Sequence, residues 1–116
     1  MNPQDTPLIR VVDDDPDVRE SLELLLMGEG WDVQCFDGGR AFLAGDMPSR
    51  PGCVLLDVRM PEMTGLELQE ILRERGYPVP IIFLTGHGDV EMAVAALKTG
   101  AENFLMKPFQ ADKLLV

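Results

Sequence analysis

The stretch LIRVVDDDPDVRESLELLLMGEG, residues 8–30, decides the architecture of this 116-residue chain. It opens with a short apolar run, LIRVVD (8–13), of strand length and β-branched bias. The run breaks into Asp13, Asp14 and Asp15, with Asp17 just beyond. An amphipathic segment follows, in which Val18, Leu22, Leu25 and Leu26 fall on one face of a helix. Asp15 suits the N-cap, Pro16 the first helical position, and Gly28 or Gly30 the exit. The stretch therefore reads as strand, acidic turn and helix. Capping and the helix dipole account for Asp15 and Asp17. They leave Asp13 and Asp14 unexplained.

The same alternation continues outward. Strand-like runs recur at WDVQCF (31–36), CVLLD (53–57), VPIIFLT (79–85) and ENFLMK (102–107). Helical spacing lies between them: a short, weak segment around GGRAFLAGD, then GLELQEILRERG with Leu68, Ile71 and Leu72 inward. A further stripe of Val90, Ala93, Val94 and Leu97 closes at Gly100. Regular β–α alternation predicts parallel strands joined by crossover helices, a doubly wound α/β sheet in one domain. The third and fourth runs are nearly all apolar, as central strands covered on both faces require. A fifth helix begins near Gln110. QADKLLV makes only two turns, so the expectation is a helix cut short, with a longer protein following.

Composition narrows the function classes. Hydrophobic residues make up 46%, enough for a core without staples. No run approaches the length of a membrane span, and MNPQDTP lacks the features of a signal peptide, so a cytoplasmic protein is expected. A net charge of −10 opposes contact with a phosphate backbone. Cys35 and Cys53 lack metal-binding spacing and read as small hydrophobes of a reducing compartment.

In parallel α/β sheets, function gathers at the carboxyl ends of the strands. The first strand ends in Asp13 and Asp14, the third in Asp57, the fourth in Thr85 and the fifth in Lys107. One rim thus receives three carboxylates, a hydroxyl and an ammonium. Clustered carboxylates need neutralising. A hard divalent cation such as Mg2+ suits an oxygen donor set and leaves positions open for phosphate oxygens. Asp57, alone on its strand, is the best placed nucleophile for forming an aspartyl phosphate. Mg2+, Lys107 and Thr85 would align the phosphoryl group and balance its charge.

VVDDD, VLLDVRMPEMTG, FLTGHGD and FLMKPF together resemble the four signature segments of the receiver domain of two-component response regulators. They occur in order and at matching separations, from about residue 8 to the end. The resemblance implies a flavodoxin-like fold with strand order 2-1-3-4-5 and one domain structured from about residue 7. It implies Asp57 as phosphoacceptor and Mg2+ ligand, Asp14 as direct Mg2+ ligand, Asp13 as a helper through water, and the Arg59 backbone carbonyl as a further ligand. Thr85 would bind a phosphoryl oxygen, Lys107 would pair with the phosphate, and Phe104 would be the aromatic switch. A cis Lys107–Pro108 bond is also implied. The partner would be a sensor histidine kinase, and the only catalysis that of the domain's own phosphorylation and dephosphorylation. Dimerisation would use the face of the fourth helix, fifth strand and fifth helix. TGHGDVEMAVAALKTGA most resembles receivers joined to LuxR-type transcriptional regulators, with receivers of sigma-54 activators similar there.

Competing readings fit less well. An EF-hand fails because Val18 and Leu24 stand where Gly and Glu are needed. A haloacid-dehalogenase-type phosphatase would need an acid where Arg59 stands. A flavodoxin-like flavin or nucleotide site would need a phosphate loop where the chain is acidic. The intact acids, Thr85 and Lys107 argue against a receiver used only as a constitutive interaction module. His87 reads as a loop residue bordering the site, where it and Arg59 could tune water access.

Overall fold

The computed structural model describes residues 6–86, 94, 97, 98, 100 and 103–106, with backbone alone at Thr85 and in 103–106. Its elements are β1 (Leu8–Val12), α1 (Pro16–Gly28), β2 (Asp32–Phe36), α2 (Gly39–Gly45), β3 (Gly52–Asp57), α3 (Gly65–Glu74), β4 (Ile81–Thr85) and β5 (Asn103–Met106). All strand pairings are parallel, in the order β2-β1-β3-β4-β5. The strands match the expected runs to within two residues at each end. The largest trim is at β4, where Val79 and Pro80 precede the strand; Pro80 contributes no ladder donor.

The α1 boundaries follow from its caps. The Asp15 side chain accepts from the Asp17 backbone N–H at 2.9 Å, and Pro16 opens the helix. Gly30 adopts φ +92° just past the end, the left-handed region that glycine enters at least cost. Trp31 follows, 42% exposed, between α1 and β2. At α3, Thr64 accepts from the Glu67 N–H at 3.1 Å and Glu67 accepts from the Thr64 N–H at 3.3 Å. That reciprocal capping box satisfies two donors at the helix start.

Alternation along the strands divides the core. On one face Val11, Ile9, Leu55 and Leu84 pack with Leu22 and Leu26 of α1. On the other Val12, Val54, Leu56 and Phe83 pack with Phe42 of α2 and with Leu68 and Leu72 of α3. Helices therefore cover both faces. Two inward assignments need correction. In α3, Gln69 is buried while Ile71 is only half-buried, so the buried face is rotated from the apolar stripe. Val94 is 41% exposed, whereas Leu97 packs on the core; Val90 and Ala93 of that stripe lie outside the described residues.

Arg10 interrupts β1, a strand buried throughout. Its guanidinium is wholly buried and donates to Asp46 Oδ1 (2.6 Å) and to the carbonyls of Leu8 (3.2 Å), Met47 (2.8 Å) and Arg50 (2.7 Å). Tyr77 donates its hydroxyl to the other Asp46 oxygen at 2.6 Å. Burial, and then this hydrogen bond, push the phenol's pKa well above its ordinary range. One buried ion pair thus ties the loops after α2 and α3 to β1.

Candidate functional site

Parallel register brings the acids together. Val12 pairs with Leu56, so Asp13 and Asp57, the next residues, emerge side by side. Asp57 pairs with Leu84, so Thr85 ends β4 one residue beyond that level. One carboxylate oxygen from each of Asp13, Asp14 and Asp57 lies within 4.8 Å of the other two. Asp13 is fully buried, Asp57 is 5% exposed, and Asp14 faces solvent. Two acids therefore line the floor and one the open side.

Local contacts hold this turn in shape. The Asp13 N–H donates to the Phe36 carbonyl at 3.2 Å. Asp13 Oδ1 accepts from the Asp15 N–H at 3.0 Å. Arg19, from the first turns of α1, donates from Nη1 to the Asp13 carbonyl at 2.7 Å. After β3, Val58 and Met60 are buried, which leaves Arg59 exposed between them. Glu62 takes φ +67° in the same loop, a costly conformation for a residue with a side chain. The Gly65 N–H returns to the Val58 carbonyl at 2.9 Å. A Cβ on Gly65 would fall on the Asp57 carbonyl oxygen, so only glycine allows α3 to start this close to the acid.

The donor set fits a hard divalent cation: three carboxylates, two lining the floor and one reachable from solvent. The Arg59 carbonyl belongs to the loop beside them. Phe104 lies on β5 opposite Phe83. Lys107, His87 and the Lys107–Pro108 bond lie outside the described residues, as do the fifth helix and most of the expected dimer face. The site therefore unites Asp13, Asp14 and Asp57 and places Thr85 on the same rim.

Sequence reasoning missed Arg19, Arg10 and the Thr64–Glu67 box. The pattern T-x-x-E before an apolar face signals the last of these. A lone arginine in an otherwise apolar strand signals the second. Nothing local marks Arg19, because its acceptor is a backbone carbonyl. Cys35 and Cys53 form no disulfide and are registered opposite Val11 and Ile9 on either side of β1. Burial, with the Glu23 carboxylate beside it, pushes the Cys35 thiol up to about 11; burial also raises Cys53. Among the described residues, no helix is long and apolar enough to cross a membrane.

A parallel α/β sheet with acids at its carboxyl rim is the form of a signalling receiver. The chain belongs to the response regulator receiver domain family, whose model matches residues 9–116. It is 48% identical over 108 residues to the response regulator protein TodT of Pseudomonas putida, covering 93% of this chain and 48% of that protein. It is 47% identical over 106 residues to the transcriptional regulatory protein FixJ of Bradyrhizobium diazoefficiens, covering 91% and 52%. The solved response regulator StyR superposes with a TM-score of 0.88 at 48% identity, over 95% of this chain and 56% of that one. The chain spans about half the length of the curated relatives it matches.

Proposed function

We propose that this domain is a phosphorylation-controlled switch that accepts a phosphoryl group on Asp57 from the phosphohistidine of a sensor kinase. The observation that carries the reading is the convergence of the Asp13, Asp14 and Asp57 carboxylates at one strand rim. A carboxylate oxygen of Asp57 attacks phosphorus as the phosphorus–nitrogen bond to the histidine breaks. The imidazole leaves, and an acyl phosphate remains on Asp57. Asp13, Asp14 and Asp57, with the Arg59 carbonyl, would hold Mg2+. When bound, Mg2+ supplies positive charge against the phosphoryl oxygens and helps align them. Thr85 donates to one of those oxygens and Lys107 pairs with another. Exposure of Asp14 keeps the rim open to a macromolecular donor.

On this reading the added charge draws Thr85 toward Asp57, Phe104 turns inward, and the population shifts toward the active state. The active state dimerises through the fourth helix–fifth strand–fifth helix face. The output is transcriptional control by a LuxR-type DNA-binding domain beyond this segment, in the cytoplasm. That the similar FixJ is a transcriptional regulatory protein supports a transcriptional output. The receiver itself makes no nucleic-acid contact and turns over no substrate besides its own phosphoryl group.

Incubation with a small acyl phosphate and Mg2+ is expected to add the mass of one phosphoryl group, lost on Asp57→Asn and on chelation. An unchanged mass for the parent chain would refute the reading.

A further inference from the structure

Arg19 is a cation beside an acidic cluster, yet its hydrogen bond goes to a backbone oxygen. Nη1 donates at 2.7 Å to the carbonyl of Asp13, from a half-buried position on α1. The Arg19 backbone is itself fixed, since its N–H donates to the Asp15 carbonyl at 3.1 Å. The Asp13 carbonyl belongs to the peptide that joins Asp13 to Asp14. Its plane sets the direction in which Asp14 leaves the chain. The N–H of Asp13 is held separately by Phe36, so one side of the residue is anchored by β2 and the other by α1.

We propose that Arg19 is a positioning residue for divalent-cation binding, acting through the Asp13–Asp14 peptide to aim the Asp14 carboxylate. The proposal rests on the Mg2+ reading of the acid cluster. It differs from a simple charge role in sign. A cation near three carboxylates lowers their affinity for a second cation, so loss of the arginine charge alone would tighten Mg2+ binding. Loss of an outer partner that orients a ligand weakens it, by about 10–100-fold where that partner bonds the ligand directly. Arg19 acts one peptide removed from Asp14, and its lost charge pulls the other way. The net expectation is therefore a loss of about three- to tenfold.

Calorimetric Mg2+ titration at constant ionic strength tests this on the parent, Arg19→Met, Arg19→Lys and Asp14→Asn. Arg19→Met removes donor and charge at similar length; Arg19→Lys keeps charge and one donor. Weaker binding in Arg19→Met, with Arg19→Lys nearer the parent, is the expected result. The Asp14 amide should shift in the metal-free NMR spectrum of Arg19→Met, with the urea midpoint close to the parent's. Equal or tighter binding in Arg19→Met overturns the positioning role while leaving the metal reading intact. So does an Arg19→Lys variant that folds yet binds as weakly as Arg19→Met. A parent that binds no Mg2+, indistinguishable from Asp14→Asn, overturns the metal reading and this inference with it.

Discussion

Replacing Asp46 with alanine should destabilise this domain more than most single changes, although Asp46 lies at the end of the sheet opposite the acid cluster. Arg10 is entirely buried, and the Asp46 side chain is 4% exposed. Asp46→Ala leaves the guanidinium with three carbonyl acceptors but without the carboxylate that faces it. Breaking a buried pair by removing one partner costs about 3–5 kcal/mol, since the other charge stays desolvated. The Tyr77 hydroxyl loses its acceptor too, at a further cost of about 1 kcal/mol. These losses share one carboxylate, so they need not add, and about 4 kcal/mol is the expected total. A domain of this size is stable by only about 5–15 kcal/mol, so the loss is severe. Urea unfolding followed by circular dichroism at neutral pH measures it directly. Asp46→Asn, which keeps an acceptor but not the charge, should fall between parent and alanine variant. The double variant Arg10→Met/Asp46→Leu should recover most of the loss, because no charge is then buried alone. A cost below about 1 kcal/mol for Asp46→Ala would refute the reasoning. So would a double variant no more stable than Asp46→Ala.

Three other outcomes follow from the geometry. Gly65→Ala should lower stability by about 2 kcal/mol and slow phosphoryl uptake, because the Cβ displaces the Asp57 carbonyl; unchanged mass-addition kinetics would contradict the close approach. Asp14→Asn should stabilise the metal-free domain by about 1 kcal/mol through relief of like-charge repulsion, while abolishing the rise in melting temperature with Mg2+; a metal-free variant less stable than the parent would contradict it. The Cys35 thiol is raised from 9.0 to about 11 in the folded state, so its contribution is complete below pH 9 and is lost as pH rises through 11. Urea midpoints at pH 8.5 and 10.5 should show a smaller drop for Cys35→Ser than for the parent. An equal drop would mean that the thiol does not feel its burial.

Strand and helix order were legible because apolar period and punctuation agree. Asp15, Pro16 and Gly30 delimit α1 as the rules for caps require. The meeting of Asp13, Asp14 and Asp57 was legible too, since parallel strands must deliver their terminal residues to one edge. The buried face of α3 was legible only in part: Leu68 and Leu72 are buried as expected, but Ile71 is only half-buried. Gln69 is buried ahead of Ile71 because helix rotation is set by packing on the sheet, which periodicity locates only to within a residue or so. Val94 follows the same logic. Arg10 stands alone in an apolar strand, but Asp46, Met47 and Arg50 lie dozens of residues away on the loop between α2 and β3, and only the folded chain brings them to it. Arg19 was silent because a backbone acceptor has no side-chain signature.

Trp31 carries a practical consequence for anyone studying this molecule. It is the chain's one tryptophan, and it precedes the amino end of β2, whereas the acids crowd the carboxyl rim. The five-residue strand between sets the indole about 16 Å back from that rim along the strand axis. Half in water already, it has little left to gain or lose when the far pole changes. Intrinsic fluorescence will report unfolding and stay nearly silent to metal or phosphoryl group. An optical titration of the site needs an indole introduced at the rim itself.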